Sequence, residues 1–193
     1  MKKTIFLSSL ILPMVLLSAS ETVESLKVNY VDNLAIQAKG MKQIKGLVGG
    51  LKPTLMKSFK QDKTGVAGMV MCSQSAQKMG QNYNATLPKD SKVRRTAIKY
   101  RNPNNKPDAT DSAVMERMVQ EHNFKKPLVV DMGSYFRVYK ALPTHKPCLA
   151  CHGDKEKMPQ KMKEILAENY PADLAVGFKE GDFRGVIVSE IQK

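Results

Sequence analysis

Cys148-Leu149-Ala150-Cys151-His152 is the C-x-x-C-H pattern of c-type haem attachment. Two thiols three residues apart lie on one side of a turn, where each can add to a haem vinyl group. The next residue then carries its imidazole to the iron. Thioether bonds let a small chain keep a haem without enclosing all of it. The same residues have plainer readings: a disulfide, a redox C-x-x-C, or half of a zinc site. A zinc ribbon needs a second ligand pair, and Cys72 is the one cysteine left over. A thioredoxin-like pair opens a helix after a strand in a βαβ unit, whereas this pair follows the loop Pro143 to Pro147. The adjacent His and an export signal favour haem, and a single motif implies one covalent haem c.

The ligand on the other face of the iron is open on residue type alone. Axial ligand, hydrogen bonding and burial are the protein's main controls over a haem. Cys72, His122, His145 and the methionines, Met69 and Met71 among them, are the candidates. His145 is seven residues from His152 on a chain tied to the ring edge, so the opposite face is hard to reach. His122 sits in a polar helix end, Gln120-Glu121-His122-Asn123. Most of the methionines fall at helical spacing and read as core. An unpaired thiol in an oxidising compartment needs an explanation. Cys72 reads first as an inert core thiol and second as a thiolate ligand.

The export signal is in the first twenty residues. Met1-Lys2-Lys3 is basic, Ile5 to Leu17 is apolar apart from Pro13, and Ser18-Ala19-Ser20 is small, the three parts of a secretory signal. The apolar run is shorter than the ~20 residues of a membrane span, and no later stretch is apolar enough. The expected product is a periplasmic chain starting near Glu21. Removing Lys2 and Lys3 takes the net charge from +13 to +11. Such charge reads first as a solvated face that keeps the chain soluble, and second as suited to an acidic redox partner or an anionic membrane surface. Export and the lack of a nucleic-acid motif argue against nucleic acid. Attachment also requires the haem maturation machinery.

Apolar residues at steps of three, four or seven predict a long helix over 22–60, with a break near Gly49, Gly50 and Pro53. A second helix is predicted over 65–83, carrying Cys72. Val93 to Tyr100 reads as a strand and 102–108 as a turn-rich loop. A helix capped by Thr110 or Asp111 runs to about His122. Pro127–Asp131 and Ser134–Leu142 read as a hairpin, Pro159–Tyr170 as a short helix and Phe183–Ile191 as a last strand. Helices followed by separated strands predict an α+β fold with an antiparallel sheet. Arg94, Arg95, Lys99 and Arg101 cluster on one predicted strand, whose alternation puts Arg95, Lys99 and Arg101 on one face. Arg95 and Arg101 are thus candidate partners for haem propionates, since a guanidinium fork suits a carboxylate. The plainer reading is a solvated basic strand edge.

Three blocks carry a resemblance. They are Arg95-Thr96-Ala97-Ile98-Lys99-Tyr100-Arg101-Asn102-Pro103-Asn104-Asn105-Lys106-Pro107-Asp108, then Pro147-Cys148-Leu149-Ala150-Cys151-His152-Gly153, then Tyr170-Pro171-Ala172-Asp173-Leu174-Ala175-Val176-Gly177-Phe178-Lys179-Glu180-Gly181-Asp182-Phe183-Arg184-Gly185. With them the chain resembles a bacterial family of exported c-type haem proteins whose cyanobacterial member has a PAS-like fold and His/Cys-ligated haem. The resemblance implies a PAS-like antiparallel sheet flanked by helices, behind a long N-terminal helix. The expected division is a signal peptide over 1–20, the long helix over 21–62 and a haem domain over 63–193. It also implies that a Cys upstream of the first block binds the iron opposite the His. Cys72 stands at that place, with Gln77 where the family often has Pro. The functions in play are a periplasmic electron carrier, a redox or gas sensor working through a separate partner and, last, a peroxidase-like enzyme.

Overall fold

Asn33 starts the longest helix, its side chain accepting the Ile36 N–H at 3.0 Å as an N-cap does. In this computed structural model, which describes residues 26–193, α1 spans Leu34–Gln61. Residues 22–25 of the predicted helix, and the signal, lie outside the described residues. The segment just before Asn33 is extended rather than helical. Tyr30 bridges Val130, Val31 N–H donates to the Val129 carbonyl at 3.0 Å, and Asp131 N–H donates to the Asn29 carbonyl at 2.9 Å. A sheet edge needs its backbone groups covered, and that need outweighs the short helical period of Val23, Leu26 and Tyr30. The expected break is also absent, because α1 runs through Gly49, Gly50 and Pro53. Both glycines are exposed, and the Gly50 carbonyl accepts the Thr54 hydroxyl at 3.1 Å.

The predicted second helix is two, α2 (Val66–Gln74) and α3 (Ala76–Asn84), broken at Ser75. Next come β1 (Lys92–Thr96), α4 (Ala109–Gln120), β2 (Leu128–Asp131) and β3 (Tyr135–Pro143). After these follow α5 (Leu149–His152), α6 (Gln160–Asn169) and β4 (Phe183–Gln192). The four strands form one antiparallel sheet in the order β1-β4-β3-β2. The architecture is the expected α+β one, with a long N-terminal helix. Strand β1 stops at Thr96, short of the expected Tyr100, and Ala97 N–H turns to the Asn105 carbonyl. Strand alternation therefore does not place Lys99 and Arg101 beside Arg95.

Side chains alternate across the sheet. One face, with Val93, Val138, Ile187 and Ile191, packs on Ile44 and Leu47 of α1. Gly40 lets α1 approach β3, since a Cβ there would meet Val138 Cβ at 2.5 Å. The other face packs Tyr139, Val186 and Val188 on Val114, Met115 and Met118 of α4. A buried ion network pins α4 to that face. Asp111 is fully buried, takes a bidentate bond from Arg94 at 2.8 and 3.0 Å and accepts the Tyr139 hydroxyl at 3.0 Å. Arg137 reaches Asp108 at 2.6 Å, and Glu190 bonds both arginines. Asp108, rather than Thr110 or Asp111, is the N-cap, and Asp111 completes its capping box. A third apolar cluster, Met69, Cys151, Met158, Met162, Ile165 and Leu166, joins α2, α5 and α6. Among the described residues no helix is long and apolar enough to cross a membrane.

Candidate functional site

Gly65 brings α2 onto the turn that carries the cysteines. It adopts φ 85, and a Cβ there would lie 3.1 Å from both Ala150 Cβ and Met162 Cε. A side chain would thus be strained by conformation and crowded by neighbours. The Gly65 carbonyl lies 3.8 Å from Cys151 Sγ. Cys151 is 7% exposed, while Cys72 and Cys148 are half-buried and all three thiols are free. Burial first, then the proximity of Cys72, pushes the Cys151 thiol up to about 12. Burial also raises Cys72, and Arg95 and Arg101 pull it back. Those two cations offset only part of the rise, and the thiol stays above its ordinary value.

His152 ends α5 with its Nδ1 2.8 Å from the Ala175 carbonyl. A carbonyl only accepts, so the proton is on Nδ1 and the lone pair is on Nε2, as metal binding requires. Phe178 stands edge-on to the ring, with centroids 6.3 Å apart. Burial, then Arg184 and Arg101, hold the imidazole down to about 3. The ring is therefore neutral, and competent as a ligand, well into acid.

The loop after α6 is stitched to this turn. Gly177 N–H donates to the Gly153 carbonyl at 2.7 Å and Phe178 N–H to the His152 carbonyl at 3.0 Å. Arg101, 9% exposed, joins the two segments. Its Nη2 donates to the Cys151 carbonyl at 2.7 Å and the Ala175 carbonyl at 3.2 Å, and its Nε donates to Asp173 at 3.1 Å. Nη1 faces Met69 Sδ at 3.6 Å, so that sulfur is turned to a guanidinium. Arg101 thus spends its donors inside the protein. The Arg95 side chain makes no hydrogen bond to another described residue. Arg184 sits 5.2 Å from the Phe178 ring centroid and donates to the Lys99 carbonyl at 2.9 Å. Burial, then Arg101, lowers it to about 10.

The structure therefore brings together Cys148, Cys151, His152, Cys72, Arg95 and Arg101. His122 and His145 are exposed, and His122 follows α4, which packs on the Tyr139 face of the sheet. Sequence reasoning passed over Asp173, Ala175, Phe178 and Arg184, although all four lie in the third block of the resemblance. Beside the turn runs an open groove of about 600 Å³, bordered by Lys63, Leu149, Ala150 and Phe178.

A model of the Tll0287-like family matches residues 16–191. The chain belongs to the Tll0287-like family. Among solved structures it is similar to the cyanobacterial heme-protein Tll0287, at 26% identity and a TM-score of 0.55. That match covers 75% of this chain and 94% of the other. No curated protein matches the chain. Family and fold agree with what the three sequence blocks imply. The matched residues take in the long helix as well as the C-x-x-C-H turn.

Proposed function

We propose that the chain is an exported, periplasmic monohaem c-type protein that carries or senses single electrons. Cys148 and Cys151 would hold the haem by thioether bonds, and His152 Nε2 and the Cys72 sulfur would bind its iron. The observation that carries this reading is the His152–Ala175 hydrogen bond. It leaves Nε2 free to coordinate on the same short turn that bears both cysteines. The residues fit the group in charge as well. Arg95 and Arg184 stand near Cys72 and His152, and Arg101 already consumes Asp173, so an anionic propionate edge matches the uncompensated cations. Haem supplies a one-electron iron couple. The chain's residues attach it, orient the imidazole and keep water from the Cys151 side. Two protein ligands leave no open position, which favours a carrier over a peroxidase. The sensor reading is supported by the thiolate, a ligand that iron reduction can release.

Mass spectrometry of the matured protein tests the attachment. Wild type is expected to carry the added mass of one haem, and a Cys148→Ala, Cys151→Ala double variant is expected to carry none covalently. A wild-type chain of bare polypeptide mass would end the haem reading.

Helix α1 supports an acidic partner. It carries Lys39, Lys42, Lys45, Lys52, Lys57 and Lys60 and no acid. All six are exposed, and none forms an ion pair among the described residues. A single-sign face of this length steers association. Electron exchange with an acidic redox protein is expected to slow at least several-fold between low and physiological salt. Lys57→Glu with Lys60→Glu should flatten that dependence, as stopped-flow kinetics will report. A salt-independent rate in wild type would remove the steering role.

A further inference from the structure

The ion pair Arg101–Asp173 contacts no proposed ligand atom, yet its bonds end on Cys151, beside His152, and on Ala175, whose carbonyl receives the His152 ring. Asp173 Oδ1 accepts the Ala175 N–H at 2.8 Å and Arg101 Nε at 3.1 Å, and Oδ2 lies 3.0 Å from Nη2. The Ala175 peptide is thus held at its N–H by Asp173 and at its carbonyl by Arg101. That same carbonyl receives the His152 Nδ1–H. The other Nη2 bond fixes the carbonyl of Cys151, the residue before His152. Both side chains are buried, at 9% and 5% exposure, so the pair is little screened by solvent.

Resting on the haem reading above, we propose that Arg101 and Asp173 are positioning residues for His152 that set the electron affinity of the iron. Two physical effects follow from the bonds. First, the carbonyl that accepts from an axial imidazole decides how strongly the ring donates to its metal, because a stronger acceptor makes the far nitrogen more basic. Arg101 shares that carbonyl and so restrains its pull on the imidazole proton. Second, Asp173 offsets the positive charge of Arg101 beside the site. Neutralising Asp173 leaves that charge uncompensated, which favours the less positive, reduced iron. The sign is therefore fixed: loss of the carboxylate raises the midpoint potential.

Asp173→Asn is the test, because asparagine can still accept the Ala175 N–H while the charge is gone. In the haem-loaded protein its midpoint potential is expected to rise clearly above wild type, with thermal unfolding still cooperative. Asp173→Glu is expected to return part of the shift. Arg101→Lys keeps the charge but loses the fork. It is expected to alter the ferric electron paramagnetic resonance signature, which reports the orientation of the imidazole plane. An Asp173→Asn protein with haem attached and an unmoved potential would overturn the inference and leave the haem reading standing. Wild type without haem would overturn both. A measurement on wild type keeps the test decisive if the variants fail to mature. The Arg101 Nε and His152 Nδ1 protons are expected to exchange with solvent far more slowly than those of free side chains, and fast exchange at either overturns the inference.

Discussion

Cys72→Ala is expected to convert a closed iron into one that binds carbon monoxide stoichiometrically, with a new optical spectrum. The thiol is on α2, which Gly65 docks onto the C-x-x-C-H turn, and Arg95 and Arg101 offset part of the rise that burial imposes on it. Removing it takes away the only anionic axial candidate beside His152 among the residues gathered there. The midpoint potential is also expected to rise, since a thiolate stabilises the ferric state more than a neutral ligand does. Folding should be nearly unaffected. The side chain is half-buried and alanine suits a helix, so the loss is expected at about 1 kcal/mol or less. An unchanged spectrum with no gas binding would remove Cys72 from the iron. Gas binding in the wild-type reduced state would favour the sensor over the carrier.

Asp111→Ala should do the opposite, costing stability while leaving the haem spectrum of the folded fraction intact. The carboxylate is fully buried and satisfies Arg94, the Tyr139 hydroxyl, the Arg137 Nη1 that it shares with Asp108, and the capping box of α4. Removing one partner of a buried charge network typically costs about 3–5 kcal/mol, because the remaining charges keep their desolvation penalty. Domains of this kind are stable by only about 5–15 kcal/mol. A large drop in denaturation midpoint is therefore expected, visible in a urea titration. Asp111→Asn should recover a fraction of it by retaining one acceptor and the cap. A loss below about 1 kcal/mol in the alanine variant would mean that solvent replaces the carboxylate. The network occupies the α4 face of the sheet, away from α2 and α5, so the spectral and stability effects should separate.

Local chemistry made much of this readable in advance. The haem motif, the β2–β3 hairpin, α6 and β4 follow from spacing and turn residues, and the α+β class follows from their order. What escaped the sequence was decided between distant segments. Val23, Leu26 and Tyr30 keep a helical period, but the free edge of β2 draws residues 29–31 into extended pairing. Ser75 breaks a helix without glycine or proline, and nothing in its neighbours announces that. Arg101 was assigned to a ligand's carboxylate by residue type and strand alternation. The strand ends at Thr96, and Asp173, seventy-two residues further on, supplies the carboxylate from within. Arg184, which stands beside the imidazole, belongs to a strand whose partners only the sheet register reveals.

The burial of Cys151 dictates an order of assembly. A thiol with 7% exposure and a pKa pushed up to about 12 is poorly reachable and poorly nucleophilic at neutral pH, since the thiolate is the reactive species. Gly65, Arg101 and the 173–178 loop, from distant parts of the chain, all bond to the turn that carries it. On the covalent-haem reading proposed above, attachment must then come while the polypeptide is still open. A chain that closes empty would be a kinetic dead end, recoverable only by unfolding.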